Sequence, residues 1–481
     1  MDQAAGAPAE LRFNGTALTF VLAGAFVIAF LVLLVRRGEQ QQLVFASWGT
    51  VQDKQAYERL IADYNRTNPE LPVIFHHVSD PYYEKIMIQT VGNNAPDVFK
   101  MDAFRVVDWA RRGALLDLTP LARSDPGFSE ADFYPQLLEN NRHGGRFYGV
   151  PVGFSTTVLY YNEDLFDQAG LDYPDESWDW DRFLAAAKKM TLRDDQGRTV
   201  QFGCAMDNGL LIYAWQGGGR FYDERAERCV FDSPETVRGL TFCWELLHKH
   251  RVSPSFIESS VLKPHTRFTT GHVPMIISGC WGVPRFSKSK DLRWGLTRLP
   301  RGPAGPVSGL LNDSLVVSRA TRHPEAAWRF IRFLTGREGQ VLQARDGNSI
   351  PAVRAVAESD AFLHDRTTFP NSNNRIFLDS MAQTYPWPLP PSPRVSLGVA
   401  MRILTEEMTL LSQGRQPPAE TAAAVERRVN QAIAAEAASE RSKPFAGSFV
   451  FWGLVLAAGA AAVFGGRAVI GRRRRLGGSR D

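Results

Sequence analysis

Two apolar runs without a single charge bracket the greater part of this chain. Residues 17–35 read ALTFVLAGAFVIAFLVLLV, 19 positions, and residues 445–466 read FAGSFVFWGLVLAAGAAAVFGG, 22 positions. The core of a bilayer takes about 20 apolar residues as helix, so both runs are long enough to span one. The first run is longer than the roughly 7–15 residues of a signal-peptide core, and no small-x-small cleavage site precedes Arg36. It is therefore expected to be an uncleaved anchor. The second is followed by the Arg472–Arg475 run, which reads as a stop signal. With two spans both tails lie on one side. Seven Lys or Arg residues flank the spans on the tail side and four on the body side, which places the tails in the cytoplasm. Arg36 and Arg37 argue the other way, but long domains translocate despite local charge. The expected plan is a tail at 1–16, a span at 17–35, an extracytoplasmic body at about 43–435, a span at 445–466 and a basic tail at 467–481.

The body has the makings of a folded, core-forming protein. Of 481 residues, 44% are hydrophobic, 22% charged and 11% aromatic, which excludes disorder for the bulk. The net charge of +4 is small and partly concentrated in the C-terminal run, so no nucleic-acid partner is expected. Four cysteines (Cys204, Cys229, Cys243, Cys280) without a C-x-x-C pair point neither to a disulfide scaffold nor to structural zinc. Cys204 with Cys229 is one pairing among three connectivities.

Along the body, strand and helix patterns alternate. Leu43–Ser47, Val73–His77 and Asp97–Met101 are β-type runs. Apolar positions at Ala56, Leu60, Ile61 and Tyr64, then 82–91 and 106–112, have helical spacing. This order predicts an α/β protein with a parallel sheet covered on both faces. An extended passage follows at 148–161. Trp180–Met190 is a helix with Asp179 as N-cap, and Pro324–Leu334 is another with Pro near its start. Residues 385–393 form a Pro-rich loop. The last helices lie near 396–412 and 418–437, the final one Ala- and charge-rich and expected to face solvent.

Catalytic patterns are missing. There is no G-x-x-x-x-G-K-[ST], H-E-x-x-H or G-x-S-x-G. His76 and His77 are adjacent on a strand and face opposite sides, so they cannot share a metal there. Asp179 and Asp181 sit at a helix start, where capping explains them. No enzyme activity and no cofactor or metal are expected. Aromatic residues remain. Trp48, Trp215, Trp281 and Trp387 stand in SWGT, YAWQGGG, GCWGV and YPWP, beside Gly or Pro at the ends of elements. An indole face next to an adaptable backbone suits the apolar C–H face of a sugar ring.

The ordered segments LVFASWG, PDVFKMDAFRVVDWARRGALLDL, FYGVPVGFSTTVLYYNEDLFDQAGL, SWDWDRFLAAAKKMT, AWQGGGRFYDE, HVPMIISGCWGV, DSLVVSRATRHPEAAWRFIRFLTGREGQ and GNSIPAVRAV resemble the extracellular solute-binding proteins of family 1, the maltose-binding-protein-like receptors of ABC importers. The likeness covers about residues 43–430, and its specificity lies in the order of the segments rather than in one motif. It implies a type II periplasmic-binding fold of two discontinuous α/β lobes with the ligand in the cleft between them. Lobe one is expected at 43–152 plus 296–345, and lobe two at 156–293 plus 349–435. The resemblance places ligand contacts at Trp48, Asp102, Ser155, Trp215, Gly217, Trp281, Gly309, Tyr385 and Trp387. Trp281 matches the family's most recurrent stacking position. At Ser155 many relatives carry an acid, a departure in this chain. The implied activity is capture of a sugar or oligosaccharide by hinge closure and delivery to ABC permease subunits supplied in trans. The competing class is a membrane-bound sensor that passes ligand occupancy to a partner protein.

Overall fold

The computed structural model describes residues 42–206, 210–346, 349–364 and 374–442. The two apolar runs and both tails lie outside them. Among the described residues no helix is long and apolar enough to cross a membrane.

In chain order the strands of the two larger sheets are β1 (Leu43–Ser47), β2 (Val73–His77), β3 (Val98–Asp102), β4 (Gly149–Thr156), β5 (Val158–Asn162), β6 (Ala205–Met206), β7 (Met275–Ser278), β8 (Trp294–Thr297), β9 (Ser308–Val317), β10 (Ile350–Pro351) and β11 (Thr384–Pro386). A seven-stranded sheet has the order β10-β4-β9-β3-β1-β2, with β11 also paired to β9. A four-stranded sheet has the order β6-β7-β5-β8. In the larger sheet β1 runs parallel to β2 and β3, and β11 runs parallel to β9. β9 runs antiparallel to β3 and β4, so the expected all-parallel sheet is in fact mixed.

The first units follow from local chemistry. α1 (Val51–Thr67) begins with a capping box in which Thr50 and Asp53 satisfy each other's backbone N–H groups. It buries Ala56, Tyr57, Leu60, Ile61 and Tyr64, one face at helical spacing. α2 (Tyr82–Val91) and α3 (Ala103–Arg111) complete two more strand–helix units. Asp179 does cap the helix Trp180–Lys189, its Oδ1 accepting the Arg182 N–H at 3.0 Å.

β4 is buried at every position, as a central strand must be. The chain passes between the sheets three times. It goes from β4 to β5 across Thr157, returns between β8 and β9, and leaves again after β11 for the helix Leu397–Ser412. Two expected seams move. The first sits at Thr157 rather than 152–156. The last sits beyond Pro386 rather than at 349, because β10 pairs with β4 and Val356, Ala357, Phe362 and Phe377 join the core under the larger sheet. That core also reaches the four-stranded sheet through Val158, Tyr160, Ile276 and Leu296. A second core lies under Phe183, Trp215, Leu240 and Leu404. The final helix, Pro418–Ser442, is not solvated on all sides: Ala422, Val425 and Val429 close that second core.

Cys204 and Cys229 are buried free thiols, not a disulfide, and burial pushes each thiol up to about 12.

Candidate functional site

β9 carries the site. Its C-terminal half pairs with β3, and its first residues run past the end of β3 to pair with β11. Two side-chain groups stand along this strand. From Asp313, opposite Asp102, to Gly309, opposite Tyr385, is four residues, or about 13 Å of extended chain.

The first group gathers at the carboxyl ends of β1 and β3, where open α/β sheets hold ligands. Trp48 follows β1 and is half-buried. Its ring meets the Tyr82 ring edge-on at 4.9 Å and the Tyr83 ring at 5.8 Å. The Lys100 ammonium stands 4.7 Å from the centre of the indole. Gly49 next to it has φ of +144°, and a Cβ there would fall 2.6 Å from the Asp53 Cβ. Asp102 ends β3. Tyr83 donates its hydroxyl to Asp102 Oδ2 at 2.7 Å and accepts the Asp102 N–H at 2.8 Å. The Arg105 guanidinium lies 4.1 Å over the Tyr83 ring, with Nε 3.5 Å from Asp102 Oδ2.

Asp102 faces Asp313 directly across the antiparallel pair. Like charges so placed repel. Lys100 relieves half of the conflict with a 2.8 Å bridge to Asp313. Burial and then the Asp313 charge push the Asp102 carboxyl up to about 6, against the Tyr83 hydrogen bond and the Arg105 charge. Burial lowers the Lys100 ammonium, yet the Asp313 carboxylate outweighs it and holds Lys100 protonated. The group therefore offers an aromatic edge, two carboxyl groups and two cations in one place.

The second group is aromatic. Tyr385 stacks on Trp215 at 4.1 Å with 19° between planes. Its hydroxyl accepts the Phe221 N–H at 2.9 Å, and burial raises it to about 12 despite that bond. Trp387 is anchored by its N–H to Leu310 O at 3.0 Å and lies on Gly309, where a Cβ would stand 3.2 Å from Cε3 of the ring. Phe104, just after Asp102, packs against the same cluster as Tyr385 and Trp387.

The nine expected contacts thus separate into kinds. Trp48 and Asp102 meet in the first group; Gly309, Tyr385 and Trp387 meet in the second. Trp215 is 2% exposed, so it backs Tyr385 and presents no face to a ligand. Gly217 is a packing glycine: its Cβ would stand 2.4 Å from Glu235 O of the helix Pro234–Trp244. Ser155 is buried, donating to Thr156 O at 3.0 Å and accepting the Cys280 N–H at 2.8 Å, so it ties the crossover to the turn before Trp281. Trp281 is half-buried, with its ring over Gly279, whose added Cβ would meet Cζ3 at 2.1 Å. The sequence reading missed Tyr83, Lys100, Arg105 and Asp313. Lys100 left one signal, a charge between the apolar Phe99 and Met101 of its strand. Among the described residues no three potential metal ligands cluster.

A model of the bacterial extracellular solute-binding proteins matches residues 48–341. A putative binding protein of Brucella abortus is 20% identical over 316 residues, 64% of this chain and 75% of the relative. The arabinooligosaccharide-binding protein of Bacillus subtilis is 22% identical over 297 residues, 59% of this chain and 67% of the relative. Among solved structures, an ABC substrate-binding protein of Listeria monocytogenes in complex with cycloalternan superposes with a TM-score of 0.74 at 23% identity, covering 82% of this chain and 100% of the other. Maltose-bound MalE3 of T. maritima gives 0.69 at 20% identity, covering 81% and 98%.

Proposed function

We propose, from the premise that this chain belongs to the bacterial extracellular solute-binding protein family, that it is the sugar- or oligosaccharide-binding component of an ABC importer, tethered to the membrane and serving a permease supplied in trans. The observation that carries this reading is the row of groups along β9. Half-buried Trp48, Tyr385 and Trp387 are spaced for a chain of sugar rings, with Asp102, Asp313, Lys100 and Arg105 at one end to take hydroxyls. Aromatic faces bind the C–H side of a pyranose, and charged acceptors fix its hydroxyls. The relatives that bind arabinooligosaccharides and maltooligosaccharides support an oligomeric ligand.

The two lobes are read as the two sheets with their helices, joined by the three crossings at Thr157, 298–307 and 387–396. Ligand energy shifts an open–closed equilibrium about these crossings, and no bond is made or broken. Retention of both apolar runs as spans raises the local concentration of receptor at its permease. Indole fluorescence of the full chain tests the proposal. Titration with maltotriose, arabinotriose and galactobiose gives a saturable change with at least one of them, and that change is lost in Tyr385→Ala. A folded protein silent to every member of an oligosaccharide panel contradicts it.

A further inference from the structure

Three consecutive hydroxyl residues, Ser155, Thr156 and Thr157, stand where the chain first crosses from the seven-stranded sheet to the four-stranded one. All three are buried. A buried hydroxyl is costly unless it is hydrogen-bonded, and each of these is committed to a different part of the molecule.

Ser155 lies near the end of β4, opposite Leu311 of β9. The Cys280 N–H that it accepts at 2.8 Å belongs to the turn after β7, so this bond joins one sheet to the other. From β5, the Tyr160 hydroxyl donates to Gly279 O of the same turn at 2.8 Å. The turn closes on itself through the Gly282 N–H to Gly279 O and the Val283 N–H to Cys280 O, both at 3.0 Å. Trp281 is carried by this turn, and its ring lies on Gly279 so closely that no Cβ fits between them. The seat of the indole is therefore fixed from outside the turn by Ser155 and Tyr160.

Thr156 donates to Phe377 O at 2.8 Å, which ties the end of β4 to the core under the larger sheet. Thr157 is the crossing residue itself. Its N–H donates to Ser308 Oγ at 2.8 Å, and Ser308 donates back to Thr157 O at 2.9 Å. Ser308 is buried and opens β9, where the returning crossing ends. With its one proton so used, Ser308 Oγ accepts the Thr157 hydroxyl at 3.1 Å. Thr157 Oγ1 then accepts the Gly309 N–H at 3.0 Å. Gly309 is the floor beneath the Trp387 ring. Two of the three crossings are thus clasped to each other, and the clasp ends under a second indole.

We propose that Ser155 and Thr157 are positioning residues for the bound sugar. They act through the backbone, Ser155 seating Trp281 by way of Cys280 and Thr157 seating Trp387 by way of Gly309. This rests on the reading of the two indoles as sugar platforms. A binding side chain is useful only when its support holds it to within about 0.5 Å, and here the support of both indoles starts from adjacent residues of one crossing. A change in the angle between the sheets at Thr157 therefore reaches both platforms together.

The test uses the full chain labelled with fluorotryptophan and read by fluorine magnetic resonance without ligand. Trp281→Phe and Trp387→Phe assign the two resonances among the 11 tryptophans. Ser155→Ala is expected to move the Trp281 resonance and leave that of Trp387 in place. Tyr160→Phe removes the other bond to the turn and moves Trp281 in the same way. Thr157→Val moves Trp387 and leaves Trp281, and Thr157→Ser, which keeps the hydroxyl, restores the wild-type spectrum. Ser155→Ala and Thr157→Val each weaken binding of whichever of maltotriose, arabinotriose and galactobiose the wild type takes, by about 2–10-fold, the worth of one hydrogen bond. A Trp281 resonance that stays in place in both Ser155→Ala and Tyr160→Phe, or a Trp387 resonance that stays in place in Thr157→Val, overturns the proposal whatever the affinity. So do shifts of both indoles in every variant, which a general loosening would give. If none of the three sugars binds the wild type, the reading of the site falls, while the resonances still decide the positioning.

Discussion

Replacing Asp102 with Asn should stabilise the protein at neutral pH, although it removes a charged group from the site. Asp102 lies opposite Asp313, and its carboxyl titrates at about 6 instead of 3.8. Two decades of proton affinity correspond to a ceiling of about 3 kcal/mol. The side chain is 29% exposed, so solvent screening reduces this to about 1–2 kcal/mol. The sign follows from proton counting. Between about 3.8 and 6 the folded state holds a proton that the unfolded chain has released, so stability attributable to this group falls as pH rises through that window. Asn keeps an acceptor for the Tyr83 hydroxyl and carries no charge toward Asp313. Urea unfolding of the wild type and Asp102→Asn across this range reads the difference directly. The two curves should coincide below about pH 4, separate between about pH 4 and 6, and stay a constant distance apart above that, with the variant the more stable. A variant that is less stable at neutral pH, or a difference that does not vary with pH, refutes the carboxylate repulsion as described.

Lys100→Met should act in the opposite sense. It strips the counter-ion from Asp313 beside Asp102 and costs about 3–5 kcal/mol at neutral pH, less in acid, as read by the same unfolding series. Gly309→Ala puts a methyl 3.2 Å from the Trp387 ring. It should cost about 1–3 kcal/mol and weaken ligand binding by moving that indole, seen as an altered near-UV circular dichroism spectrum. Gly217→Ala should destabilise the fold at least as much, because a Cβ would be 2.4 Å from a backbone carbonyl. The folded fraction should keep wild-type affinity, and a selective loss of affinity would return Gly217 to the binding surface.

How far the sequence revealed this molecule follows from the range of its interactions. Helices with a cap and one apolar face, such as Val51–Thr67 and Trp180–Lys189, are written locally and were legible. So was the parallel direction of β1, β2 and β3, because strands that alternate with helices pair in parallel. The mixed direction of the sheet was not, since β9 reaches β3 from far along the chain, Asp313 pairing with Asp102. The boundary at 349 failed for the same reason: two residues, Ile350 and Pro351, pair with β4 and carry the following helices to the larger sheet. At the site, exposed-looking sequence contexts misled. Trp215 and Gly217 sit in a glycine-rich stretch, but that stretch is a helix end pressed against Glu235 and Gly239, where glycine permits contact with backbone. The Asp102–Asp313 conflict could not be seen from either segment, because it exists only once the register of β3 and β9 is set.

Isothermal titration of the full chain with a panel of neutral oligosaccharides, repeated with Trp387→Ala, asks whether a sugar lies along β9. Saturable heat is expected with one glycan class, and at least tenfold weaker binding in the variant, or about 1.4 kcal/mol. No heat with any glycan, or unchanged affinity in Trp387→Ala, would contradict a sugar held along β9.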